Sequence, residues 1–285
     1  MKTPTTFEQQ LALLESRGCF IDDREKCATT LSRISYYRFS AYFLPFRNED
    51  HKTFKPGTSF TQVSDIYEFD KQLKTLIMSA VENIEVYVRT QLIYYHAHKY
   101  GALGYTDPTH FHNSDRHKGF LSVISREIES NKNVPFVKHH IEQYNGEFPL
   151  WVIAELFSLG TLSQFFANMK TPDRKALSVY MFDTHERVIR SWLQCCTSLR
   201  NICAHYGRIY FRELGAKPLT PKGHHFTFDR YAYSAIYMLK LVFPDKDKWN
   251  SSFVLPLSAL IDKYSKSICL RHIGFPENWE DELSA

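Results

Sequence analysis

The residues best suited to chemistry lie in one short run, Arg200-Asn201-Ile202-Cys203-Ala204-His205. An arginine, an amide and a histidine fall within one and a half turns of a strongly helical stretch. Histidine moves protons near neutral pH, and arginine grips phosphate through two parallel hydrogen bonds. The pair points to chemistry on a phosphodiester. At about 100° per residue, Asn201, His205, Arg208 and Arg212 share one stripe of the helix, and Arg200 sits beside it with a side chain long enough to reach toward His205. Trp192, Cys196, Leu199, Cys203, Tyr206 and Tyr210 fall on another side and are expected to face the core. Gly207 can kink or end this helix, which loosens the place of Arg208 and Arg212 on the polar face.

Such a face suits RNA cleavage by internal attack of the 2′-hydroxyl. That reaction needs a base for the hydroxyl proton, charge stabilisation at the phosphorane and an acid for the leaving oxygen. RNA carries its own nucleophile, so the protein need supply little beyond positioning and proton transfer. Spacing alone favours a structural reading, because arginine and histidine fall five residues apart in many helices. The clustering of Asn201, Arg208 and Arg212 leaves the two readings evenly matched.

Periodicity predicts the helices that must hold this segment. Thr6 with Gln9 reads as a capping box before Phe7, Leu11 and Leu14, and Asp22 with Glu25 as a second helix start. The longest helical pattern runs from about 64 to 100, broken at most once, with Leu73, Leu76, Ile77, Ala80, Ile84, Val88 and Leu92 as its apolar stripe. Residues 115–131 and 135–144 read as shorter helices. Pro149 opens another through Phe157, Gly160 punctuates it, and Thr171-Pro172 starts the next. Thr184 is the expected cap of the helix that carries Arg200 and His205, running to at least Tyr206. The stretch 213–227 reads as a loop, 229–243 and 251–264 as helices, and the acidic tail from Glu277 to Glu282 as a short last one. Strand signals are few, so the expected class is all-α. The expected organisation is an N-terminal helical region (1–60) packed on a core (61–212), then a loop and helices (213–285) of the same unit.

At 285 residues with 44% hydrophobic and 15% aromatic content, the chain can bury a sizeable core and is not disordered. A net charge of +4 permits nucleic-acid binding through local patches without demanding it. The six cysteines include no C-x-x-C pair, and three of them lie in an apolar helix pattern as small hydrophobes. With neither a signal peptide nor a membrane-length apolar run, the expectation is a reduced, cytoplasmic protein that does not engage membrane.

Other groups compete for a role. Glu85 and Arg89 stand four apart with Glu82 one turn before. They form either a surface i,i+4 pair or a support that orients Arg200 or His205. The segment 35–47 (SYYRFSAYFLPFR) interleaves aromatics with Arg38 and Arg47. Its rings are expected in the core, while its two arginines remain candidates for RNA contact, as does Arg212. His96 and His98, or His110, His112 and His117, lack a metal-site pattern. No metal or cofactor is expected. The basic run Lys217, Lys222, His224, His225 and Arg230 reads as a solvated loop.

The run LRNICAHYGRIY (199–210) resembles the signature of the AbiD/AbiF-like abortive-infection proteins of bacteria, within the HEPN superfamily. Three further segments fit in order: 35–47, Glu82-Asn83-Ile84-Glu85 to Arg89, and PLWVIAELFSLGTLSQFFANM (149–169). The resemblance implies a HEPN-type helical bundle elaborated with extra N- and C-terminal helices. It further implies a metal-independent endoribonuclease, toxin-like, used in phage defence. Arg200 and His205 would be its catalytic pair, with Asn201 beside the arginine. Two copies of the motif usually face each other in the superfamily, which implies a homodimer, and some members are held in check by a small non-coding RNA. The alternatives are a non-catalytic RNA-binding module of the same fold and a protein-interaction sensor of phage components.

Overall fold

The computed structural model describes residues 3–284. Helix α1 (Phe7–Ser16) opens on the expected capping box: Gln9 N–H donates to Thr6 Oγ1 (3.2 Å), and Thr6 N–H to Gln9 Oε1 (2.9 Å). Helix α2 (Arg24–Arg33) is capped by Asp23 rather than Asp22, whose carboxylate instead accepts from the Thr61 hydroxyl (2.6 Å). The aromatic segment forms α3 (Tyr36–Ser40) and a 3-10 turn through Phe46, burying Phe39, Tyr42 and Phe43.

The central element is α4 (Phe60–Tyr100), one unbroken helix of 41 residues that starts four residues earlier than its pattern suggested. Ser59 caps it, and Gly101 ends it in the left-handed region (φ +83°). Of the expected stripe, Leu73, Ile77, Ala80, Ile84, Val88 and Leu92 are buried, and Leu76 is half-buried against the core.

Next come α5 (Ser114–Ser130), α6 (Pro135–Gln143) and α7 (Leu150–Ile153), then a 3-10 turn, α8 (Leu159–Asn168), α9 (Thr171–Phe182) and α10 (Glu186–Ala204). The helix expected from Pro149 to Phe157 is split, because Ser158 caps α8 through the Thr161 N–H (3.2 Å) and leaves Gly160 inside the first turn. His185, not Thr184, caps α10: its Nδ1 accepts from the Arg187 N–H (3.2 Å). After an irregular stretch the chain closes with α11 (Ala232–Val242), α12 (Lys246–Trp249), α13 (Leu255–Tyr264) and α14 (Trp279–Ser284).

Helix α10 packs against α8, α4, α9 and α11, and α13 against α4, around one contiguous apolar core. Among the described residues there are three isolated bridges and no strand. The all-α expectation holds. No helix of the described residues is long and apolar enough to cross a membrane.

Polar groups in this core are costly unless paired, and most are paired. Asp173 takes Tyr95 (3.1 Å), Tyr100 (2.6 Å) and Lys99. Burial raises its carboxyl, but these donors outweigh burial and hold it below the usual range. Arg174 reaches Glu186 at 3.0 Å. Two fully buried residues are exceptions among the described residues: Ser178, whose hydroxyl has no partner, and His96, which is 1% exposed with neither ring nitrogen partnered. Its ring stacks on Phe111 (5.5 Å) and meets the edge of Phe165 (5.1 Å).

Burial, with smaller repulsion from His110 and Lys99 against attraction from Asp173, pushes the His96 ring down to about 4. The native state therefore refuses a proton that the unfolded chain accepts below about pH 6.5. The stability this site contributes is complete above that pH and is lost as pH falls toward 4, by on the order of 3 kcal/mol. Denaturant titrations of wild type and His96→Phe between pH 7 and 4 should diverge by this amount, the variant losing less. Parallel curves would refute it.

Candidate functional site

The segment 200–210 forms the end of α10 and a turn strapped to α3 and α4. The helix closes at Ala204 with His205 as its cap residue. Tyr206 N–H donates to Cys203 O (3.1 Å) and Gly207 N–H to Ile202 O (2.7 Å), a Schellman closure. The left-handed position of that motif normally takes glycine, yet here Tyr206 occupies it at φ +57°. Gly207 stands one place later, where a Cβ would lie 3.0 Å from Ile202 Cγ2 and 3.1 Å from its carbonyl.

This geometry corrects the expected stripe. The helix stops before Tyr206, which is 71% exposed rather than core-facing. Arg208 and Arg212 do not continue the face of Asn201 and His205. Arg208 donates to the carbonyls of Tyr210 (2.7 Å) and Phe211 (2.8 Å) and lies over the Tyr42 ring; burial lowers its pKa. It stabilises the turn and is committed there. Arg212 folds back on Arg208 O (3.3 Å).

Three charged side chains hold the turn. Arg38 donates to the Tyr206 carbonyl, and Lys74 to the Gly207 carbonyl (3.1 Å). Asp70 is fully buried and accepts four bonds. Its Oδ1 takes Ile209 N–H (3.0 Å) and Tyr210 N–H (2.7 Å), while Oδ2 takes Lys74 Nζ (2.7 Å) and Tyr42 Oη (2.7 Å). Burial and the neighbouring Asp70 push the Tyr42 hydroxyl far up, so it stays a donor. Sequence reasoning missed Asp70 and Lys74. Their signal was a charged i,i+4 pair interleaved with the buried Phe69, Leu73 and Ile77.

Within this frame His205 is exposed, and no described residue hydrogen-bonds its ring. Its neighbour thiol Cys203 is buried, which pushes it up to about 12 and makes it packing rather than nucleophile. Arg200 is half-buried and reaches the Asn201 carboxamide (3.3 Å). Five residues of helix turn Arg200 about 140° from His205, so the two open on different sides of α10. Arg200 lines a depression of about 530 Å³ with Glu82, Glu85 and Arg89 of α4. Glu85 and Arg89 form the i,i+4 pair (2.9 Å), and Arg89 also donates to Phe157 O (2.8 Å). Their side chains are 17% and 19% exposed, so the pair is a partly buried wall facing Arg200 rather than a free surface bridge.

A model of the family described as Abi-like protein matches residues 29–211, well over half of the chain. The chain belongs to the Abi-like protein family. No curated protein and no solved structure matches it. In this Abi-like protein the matched stretch contains every strap of the turn, from Arg38 to Tyr210. Membership suggests a role in abortive infection.

Arg47 lies in the short hairpin bridged to Phe54 and makes none of the turn's hydrogen bonds. Of the histidines weighed for metal, His110 bonds Gly104 O (2.8 Å) and His117 bonds Tyr105 O (2.8 Å). No group of three or more potential ligands is gathered among the described residues.

Proposed function

We propose that this Abi-like protein is a HEPN-type endoribonuclease of bacterial phage defence, cleaving RNA at a site that two copies complete. The observation that carries this reading is the contrast at the end of α10. Every polar group of the 206–210 turn named above is tied down, while His205 is left exposed on the face it shares with Asn201.

In the reaction the 2′-oxygen attacks phosphorus, its proton passes to a base, and the departing 5′-oxygen takes a proton from an acid. The products are a 2′,3′-cyclic phosphate and a 5′-hydroxyl. One His205 serves as base and the partner's equivalent as acid. Arg200 clamps the non-bridging oxygens, where charge grows in the transition state. Its divergence from His205 on one helix favours pairing across two copies. Glu82 and the Glu85–Arg89 pair position Arg200 from α4.

Incubating wild type, Arg200→Ala and His205→Ala with total RNA in EDTA tests this. Cleavage by wild type alone, leaving cyclic phosphate ends, is the expected result. RNA binding without cleavage, equal in all three, would instead mark a non-catalytic module.

A further inference from the structure

Helix α10 carries a second polar feature, on the same face as His205. Counting back from His205 by turns gives Asn201, Ser198, Gln194 and Arg190, a stripe of exposed or half-exposed polar residues about 22 Å long. Beside it lies a groove of about 500 Å³ between α10, α8 and the start of α5, which adds Gln164 and Arg116. No carboxylate lines this groove among the described residues. Both arginines are exposed, and the nearby acids are engaged elsewhere. Glu186 is held by Arg174 (3.0 Å), and Asp115 lies 3.5 Å from Lys118.

We infer that this groove is the track along which a single RNA strand reaches His205, Arg116 and Arg190 contacting phosphates and the amides contacting sugars and base edges. Two unpaired guanidiniums among neutral donors, with no negative charge, suit a repeating phosphodiester better than an acidic or apolar partner. The groove is long enough for a few nucleotides and ends at Asn201, one turn from the exposed imidazole. It rests on the nuclease reading only in taking His205 as the place of cleavage. Because the contacts are to the backbone, single-stranded DNA of the same sequence binds in the same track but is not cut, lacking the 2′-hydroxyl.

The test measures binding of a fluorescein-labelled 12-nucleotide RNA, and of the matching DNA, to full-length His205→Ala protein over a range of salt. Arg116→Ala and Arg190→Ala are then added singly and together. Each is expected to weaken RNA and DNA alike and to lower the slope of log affinity against log salt by about 0.7. Thermal melting should not change, since both side chains are exposed. Unchanged affinity and slope, with wild type still cutting RNA, would overturn the track and leave the nuclease reading standing. Lost affinity in the variants, with wild type leaving RNA intact, would keep the track and remove the nuclease reading. Tight binding of a phosphoserine-rich peptide with no affinity for either nucleic acid would give the groove to a protein partner and overturn the assignment.

Discussion

His205→Ala is expected to lower RNA cleavage by about 10²–10⁴-fold, the usual contribution of a positioned general acid or base. Its stability should stay within about 0.5 kcal/mol of wild type, because the side chain is exposed and its ring bonds none of the described residues. The closure of α10 depends on the backbone of Ile202 and Cys203, not on the imidazole. Arg200→Ala should cost about 10²–10³-fold through lost charge stabilisation. If the site is composite, mixing the two variants gives heterodimers that keep one His205 and one Arg200 on opposite chains. Such a mixture should cleave faster than the sum of its parts, though slower than wild type, since one proton-transfer group is missing. A mixture no better than that sum would place the whole reaction in one chain.

The helical core was readable because burial imposes a 3.6-residue period. Ile77, Ile84 and Val88 on α4, and Trp192, Cys196 and Leu199 on α10, are buried where that period puts them. The end of α10 was not readable by the same rule. Glycine marks helix ends through its freedom at positive φ, and Gly207 drew the expected kink to itself, whereas the chain reverses at Tyr206. The strain of a left-handed tyrosine, on the order of 1–2 kcal/mol, is offset by Arg38, Asp70 and Lys74, which lie far away in sequence. Local pattern contains no trace of such contacts. The polar stripe was therefore extended in the wrong direction, through Arg208 to Arg212, when the continuous face runs back through Ser198 and Gln194 to Arg190. The placement of Arg200 and His205 at the end of one helix was legible, because residue type at fixed helical spacing needs no long-range information.

Asp70→Ala should be the most destabilising single change in the site. It removes the acceptor of two backbone N–H groups, of Tyr42 and of Lys74, all in a place with no exposure to water. Breaking a buried charge pair leaves the other charge uncompensated, which costs about 3–5 kcal/mol, and orphaned buried donors push toward the upper end. For a protein of this size that corresponds to a fall in Tm of roughly 6–20 °C. Asp70→Asn combined with Lys74→Met separates charge from geometry. The amide oxygen can still accept from Ile209 and Tyr210, and no unpaired charge remains, so much of the stability should return. Lys74 would no longer hold the Gly207 carbonyl, so the turn after His205 would loosen. Cleavage by the double variant should stay depressed at temperatures where it is fully folded. A Tm for Asp70→Ala within 1 °C of wild type would show that the carboxylate does not hold the turn. Full cleavage by the double variant would show that the turn's rigidity does not matter to His205.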